Sequence, residues 1–181
     1  MLYVTQLFCS RHKGARISPP VRVGLGGGGV TIILPHSYRP GMALLYYPQP
    51  GEILLCDYST GFIAPEMVKR RPVVVVSPRL RRRPDLVAVV PLSTLEPQPI
   101  EDHQCRINLA IPLPKPFDSP VMWAKCDMLA TVSRTRLDRF KGKRVGAQRI
   151  YLSGKMTADQ LKAVRSAMLC GLGLSSLTIH L

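Results

Sequence analysis

No stretch of this chain approaches the roughly 18 consecutive apolar residues that a membrane-spanning helix requires, so an integral helical membrane protein is excluded. Acid is scarce: 11 Asp+Glu stand against 25 Lys+Arg, and the first 41 residues carry none. Aromatics make up only 6% of the chain, which argues against a generic single-strand-binding platform built on base stacking. The five cysteines (Cys9, Cys56, Cys105, Cys126, Cys170) are odd in number and widely spaced, with no CxxC and no Cys/His pair at zinc spacing. Neither a disulfide framework nor a structural zinc is indicated, and reduced thiols of a cytoplasmic protein are expected. GxSxG, HExxH and P-loop signatures are missing, and no carboxylates form an obvious acid/base pair. No cofactor and no metal are expected.

What is present supports a packed core. Hydrophobic residues are 46% and charged residues 20% of 181, which excludes disordered, collagen-like and coiled-coil classes and fits one ordinary domain with a tail. The net charge of +14 calls for a polyanionic partner. An anionic membrane would want a basic amphipathic helix, and none is found, so nucleic acid is the expected partner.

The charge is unevenly placed. Residues 1–41 contribute +5 through Arg11, Lys13, Arg16, Arg22 and Arg39, and residues 42–181 contribute +9. At the N-terminus the cations follow a short apolar run, the reverse of a secretory signal. The stretch Gly24 to Gly29 satisfies GxGxxG, but a dinucleotide site needs a helix next. Val30-Thr31-Ile32-Ile33-Leu34-Pro35 follows instead, a strand or an extended tail. Four consecutive glycines fit a flexible linker. The expected organisation is an extended or disordered tail over 1–45, a folded domain over 46–174 and a C-terminal tail over 175–181. Met42 is an alternative start, with the preceding residues an upstream extension.

From Pro50 onward the pattern is regular. Glu52 to Tyr58 reads as a strand after a Pro-Gly turn, and Arg71-Pro72-Val73-Val74-Val75-Val76-Ser77 as a strand buried on both faces. Leu86 to Leu92, Gln104 to Ile111 and Val121 to Leu129 read as three more, with the basic segment Arg79 to Arg83 joining the second strand to the third. Short strands and many prolines predict a small antiparallel barrel. One helix is clear: Thr157 and Gln160 form a capping box, and Leu161, Val164, Met168 and Leu169 share a face. Gly171 and Gly173 supply its stop. Ser133 to Phe140 predicts a shorter helix or turn capped by Ser133.

Three segments carry candidate phosphate chemistry. Arg70-Arg71-Pro72 puts a guanidinium fork at a strand entrance, suited to a phosphate. Ser93-Thr94 place two hydroxyls at the end of a buried strand. Lys125-Cys126-Asp127 in an apolar strand predicts a cation and a carboxylate on one face, with Cys126 on the other. Each also has a plain structural role: a solvated basic run, a turn, a salt bridge. His103 in the turn Glu101-Asp102-His103 reads as an exposed loop histidine.

In order, PQPGEILLCDY, KRRPVVVVS, VVPLST, WAKCDMLATVSRTRLDR and the capped helix resemble the PemK/MazF family of toxin ribonucleases, over about residues 48–173. The resemblance implies an SH3-like barrel of the CcdB/MazF type with a C-terminal helix. It also implies a homodimer that a small antitoxin neutralises and that binds DNA with that antitoxin. The implied activity is metal-independent cleavage of single-stranded RNA or mRNA, with growth control as its consequence. On this resemblance Arg71 matches the arginine of the RPV motif, Ser93 the threonine near the scissile phosphate, and Thr94 its neighbour. Lys125 and Asp127 fall where PemK-type members have an arginine acid and an aspartate base. Lysine at 125 keeps the charge and loses the bidentate fork. The loop Gly61 to Lys69 departs from the family's usual glycine- and glutamate-containing one, and Glu66 is its candidate acidic residue. Lys69, Arg70, Arg79, Arg81, Arg82 and Arg83 are the expected RNA track. The competing expectation is a non-catalytic binder on the same barrel, either a gyrase inhibitor or a nucleic-acid-binding module.

Overall fold

The computed structural model describes residue 44 and residues 46–181 apart from residue 146. The glycine-rich segment and the other expectations for residues 1–41 lie outside the described residues. Among the described residues ten strands follow one another: β1 Glu52–Cys56, β2 Arg71–Val75, β3 Leu86–Ser93, β4 Gln104–Asn108 and β5 Val121–Lys125. Then come β6 Ala130–Ser133, β7 Leu137–Asp138, β8 Phe140–Val145, β9 Gln148–Leu152 and β10 Gly154–Lys155, and helix α1, Ala158–Gly171. All pairings are antiparallel.

The pairing closes a ring. β1 pairs β2, β2 pairs β3, and β3 pairs β6. A 3-10 turn over Arg134–Arg136 then carries the chain into β7, which pairs back onto β1. This is the small antiparallel barrel expected of the sequence, and the turn begins at Ser133, whose hydroxyl accepts from the Thr135 amide at 3.3 Å. At its far end β3 leaves the ring and pairs β5, which pairs β4, so a second layer grows from the same strand.

The four valines show why one strand must be apolar throughout. Val73 and Val75 point into the ring with Leu54, Cys56, Val87, Val89, Val132 and Leu137. Val74 and Val76 point the other way, into a second core of Ile53, Val90, Leu92, Ile107, Met122 and Ala124 that α1 covers with Val164 and Ala167. Each fully buried valine contributes about 1.5–3 kcal/mol through area removed from water. The Pro50-Gly51 turn sets where β1 starts. Gly51 has φ +85°, its amide donates to the Val75 carbonyl at 2.8 Å, and its carbonyl accepts from Met156 at 2.9 Å.

Helix α1 starts where its sequence says. The Thr157 hydroxyl accepts from the Gln160 amide at 3.2 Å, and the Gln160 side-chain oxygen accepts from the Thr157 amide at 2.9 Å. At the other end Gly173, with φ +73°, is the stop, while Gly171 is still helical. The Leu174 amide reaches the Leu169 carbonyl at 2.7 Å and the Gly173 amide reaches Cys170 at 2.9 Å, a Schellman closure.

Three boundaries differ from the sequence reading. Leu44, expected in the tail, is buried in the ring core, and its carbonyl accepts from Arg134 at 2.9 Å. Residues 175–181, expected as a tail, contain a 3-10 helix over Ser175–His180. The strand expected over Val121 to Leu129 ends at Lys125, because Cys126–Met128 turn into a 3-10 helix before β6 begins.

Candidate active site

Strand register gathers part of the predicted site. Ser93, the last residue of β3, lies opposite Trp123 of β5, which lies opposite Arg106 of β4. Lys125 is two residues beyond Trp123 on the same face, across from Gln104. Met122, Ala124, Cys105 and Ile107 take the opposite face into the core. Arg71, the first residue of β2, is reached from the other side. Val73 pairs with Pro91, and Arg71 and Ser93 each lie two residues past that pair, at the same end of the ladder and on the same face. The face thus carries three cations (Arg71, Arg106 and Lys125), one hydroxyl, and the chain's single tryptophan, which is 7% exposed. The Ser93 hydroxyl oxygen accepts from the Leu95 amide at 3.1 Å, which leaves its proton free to donate outward. Thr94 is exposed beside it.

Asp127 is placed differently from the sequence expectation. Strand alternation no longer applies after Lys125, and the Asp127 carboxylate is exposed in the 3-10 turn. The turn is anchored by Cys126, whose buried thiol reaches the Val164 carbonyl of α1 at 3.6 Å, while its amide donates to His103 at 3.0 Å. No ion pair joins Asp127 to Lys125 among the described residues. Asp127 lies instead at the C-terminal end of α1, where Gly171 makes room. A Cβ on Gly171 would sit 3.5 Å from the Asp127 amide nitrogen and 3.2 Å from His103 Cβ. His103 is not a free loop histidine: its Nδ1 is 3.4 Å from the Glu101 carboxylate, and its side chain is 25% exposed.

The basic residues divide between two places. Arg79, Arg81, Arg82 and Arg83 are exposed in the loop after the Val75 end of β2, the end remote from Arg71, and Arg79 lies over the Tyr47 ring at 5.9 Å. Lys69 and Arg70 are exposed next to Arg71. Arg70 contacts Asp57 at 4.0 Å and Asp138 at 3.9 Å.

Sequence reasoning missed the residue that organises the loop leading into Arg71. Arg136 Nη1 donates to the Asp57 carbonyl at 3.0 Å and the Thr60 carbonyl at 2.8 Å, and its guanidinium lies over Phe62 at 5.3 Å. Burial acts to raise the Asp57 carboxyl pKa, but two bonds from Ser59 and the nearby Arg70 and Arg136 outweigh it and hold the value below the usual range. Glu66 is used within the loop, where its carboxylate accepts from the Ile63 amide at 2.7 Å. Trp123 and Arg106 were missed as well. Only the β3–β5–β4 register shows that they share the face, although Arg106 alternates visibly with the apolar Cys105 and Ile107.

The chain has known relatives. The family described as PemK-like, MazF-like toxin of type II toxin-antitoxin system matches residues 49–168. The YifN protein of Escherichia coli (strain K12) is 33% identical over 141 residues, which cover 68% of this chain and 93% of that one. A Haemophilus influenzae protein is 35% identical over 101 residues, 50% of this chain and 68% of that one. Among solved structures, an endoribonuclease from Mycobacterial species is 19% identical, with a TM-score of 0.47, over 72% of this chain and 96% of that one. MazF (form I) from Deinococcus radiodurans is 20% identical, with a TM-score of 0.48, over 71% and 98%. With its match running from the turn before β1 to the last turns of α1, the chain belongs to the PemK-like, MazF-like toxin family of type II toxin-antitoxin systems.

Proposed function

We propose that this family member is a metal-independent endoribonuclease that cuts single-stranded RNA, works as a homodimer in the cytoplasm and is held inactive by a cognate antitoxin. The observation that carries the reading is the convergence of Arg71, Ser93 and Lys125 from the ends of β2, β3 and β5 onto one sheet face. RNA brings its own nucleophile, so the protein must supply a base, an acid and charge stabilisation.

In this mechanism the Asp127 carboxylate takes the proton of a ribose 2′-OH as that oxygen attacks the adjacent phosphorus. The Arg71 guanidinium and the hydroxyls of Ser93 and Thr94 meet the charge that builds on the non-bridging oxygens. Lys125 gives its proton to the departing 5′ oxygen as the phosphorus–oxygen bond breaks. One strand ends in a 2′,3′-cyclic phosphate and the other in a 5′-hydroxyl. Arg71 is held for this role by the Pro72 backbone behind it and by the pairing of β2 with β1 opposite Cys56.

The test is incubation of single-stranded RNA with the protein in EDTA, with the cut ends mapped chemically. Arg71→Ala is expected to lose about 10²–10³ in rate, the usual effect of removing one donor from a developing oxyanion. Asp127→Asn is expected to lose about 10²–10⁴, as for a general base. Both should keep wild-type circular dichroism. Full activity of both variants ends this mechanism, and growth arrest with intact RNA and broken DNA moves the reading to the gyrase-inhibitor alternative.

A further inference from the structure

β8 and β9 form a two-stranded sheet of their own, separate from the sheet that holds the other eight strands. The family resemblance gave no expectation for them. Residues 139–155 carry six cations (Arg139, Lys141, Lys143, Arg144, Arg149 and Lys155) and no acid. Lys141, Lys143 and Arg144 are exposed, as is Val145 at 66%. A lone hairpin is marginal in water. This one is tied at its root, where Phe140 is buried in the second core and Arg139 lies over the Tyr151 ring at 5.0 Å.

At that root is a cleft of about 140 Å³. Its chemistry is of two kinds. The lining combines four cations (Arg70, Lys115, Arg139 and Lys141) with Phe117 and Phe140, whose rings meet edge-on, centroids 6.4 Å apart. A cavity of about 150 Å³ takes one six-membered aromatic ring. A cleft of that size with aromatic and cationic side chains in its lining suits an unstacked base and its flanking phosphates.

We propose that this cleft holds one base of the RNA strand flanking the cut, and that the β8–β9 ribbon carries the phosphates beyond it. The proposal rests on the ribonuclease reading and extends it. Arg70 lines the cleft and Arg71 joins the catalytic face, so a strand that occupies both passes around the start of β2. The track therefore leaves from the Arg71 end of the strand, opposite the Arg79 to Arg83 loop.

The test is equilibrium binding of a 20-nucleotide single strand of 2′-O-methyl RNA, which lacks the attacking hydroxyl and cannot be cut. It is read by fluorescence anisotropy across a salt series, with the full-length protein. The Lys141→Ala/Lys143→Ala/Arg144→Ala variant is expected to bind about tenfold or more weakly at 100 mM salt. Its log–log salt slope should be shallower by about 2, since each phosphate contact on a single strand contributes about 0.7. Lys115→Ala, at the cleft rim, is expected to weaken binding severalfold with a slope change of under 1. Lys162→Ala/Arg165→Ala, which removes two cations from α1, should change neither quantity. Unchanged affinity and slope in the triple variant, while the wild type cuts unmodified RNA, overturn the proposal and leave the ribonuclease reading standing. That outcome would point to a protein partner for the ribbon. A wild type that neither binds nor cuts RNA overturns both.

Discussion

Removing the Arg136 guanidinium should loosen the segment that delivers Arg71. Arg136 is half-buried in the turn between β6 and β7, and it holds the β1–β2 loop from the neighbouring strand, where its carbonyl also accepts from the Asp57 amide at 3.0 Å. Its bond to the Asp57 carbonyl is partly buried, and the bond to the Thr60 carbonyl is exposed. A charged donor to a partly buried carbonyl contributes about 1–1.5 kcal/mol, and the exposed bond about 0.5. The stacking over Phe62 adds about 0.5–1 kcal/mol. Arg136→Ala should therefore cost about 2–3 kcal/mol, which for a domain of this size is a fall in Tm of about 6–12 °C.

Two further variants separate the contributions. Arg136→Lys keeps a cation over Phe62 and one donor, so it should lose less than half of that. Arg136→Met keeps the apolar stem and loses both bonds, so it should fall between the two. Thermal unfolding of the three variants, together with the rate of protease nicking between residues 57 and 70, reads the loop directly. In the RNA assay Arg136→Ala should reduce kcat/KM by about tenfold, less than Arg71→Ala, because it loosens the loop without removing any reacting group. A Tm within 2 °C of wild type together with unchanged nicking would refute the claim that Arg136 holds this loop.

Other expectations can be checked independently. Thr157→Ala removes the hydroxyl that caps α1 and should cost about 1 kcal/mol in urea unfolding. Gln160→Ala should cost at least as much, because that side chain also donates to the Asn108 carbonyl at 2.6 Å. The Asp57 carboxyl is depressed below its ordinary value of 3.8. Its contribution to stability is thus fully present above about pH 4 and is lost as pH falls through the lower folded value. Asp57→Asn should flatten that part of the urea midpoint profile between pH 5 and 2. Burial pushes the Cys56 and Cys126 thiols up to about 12 and keeps them from reagent, whereas Cys105 and Cys170 are part-exposed. Among the four cysteines of the described residues, alkylation at pH 8 followed by peptide mapping should label Cys105 and Cys170 before Cys56 and Cys126, and early labelling of Cys126 in folded protein would contradict the anchored turn.

The parts of this fold legible in the sequence are those decided by local chemistry. Thr157 with Gln160 and Ser133 with Thr135 satisfy their bonds within a few residues, the Pro50-Gly51 turn is closed locally by the Glu52 amide on the Gln49 carbonyl, and each is found where it reads. The valine run is legible because only a strand shared between two cores needs four consecutive apolar side chains. What could not be read depends on register between distant segments. Nothing near Trp123 or Arg106 says that they face Ser93. Leu44 looks like tail because its only reasons to be buried, the ring core and Arg134, lie far along the chain. The β8–β9 ribbon has no local signal, since its glycines and alternating cations carry no strong strand pattern. The end of β5 was missed because Lys125-Cys126-Asp127 alternates in polarity like a strand, and only the docking of Cys126 on α1 makes it turn.

That docking links the helix to the chemistry. Lys125 is the last residue held by strand pairing, and Asp127 is the first residue of the proposed site held against α1, so one buried cysteine separates the proposed acid from the proposed base. Their separation is then set by how firmly α1 seats Val164 under Cys126 and Gly171 beside Asp127, and by the capping box and the Schellman closure that fix the two ends of α1. Small residues at these contacts are a requirement of the geometry. A side chain at Gly171 would crowd the His103 Cβ at 3.2 Å while meeting the Asp127 backbone at ordinary contact distance, and a larger one at Cys126 would lift the turn from the Val164 carbonyl. Helix-packing changes that leave Lys125 paired to Gln104 should therefore affect the proposed proton-abstracting step while leaving the face shared by Arg71, Ser93 and Lys125 intact.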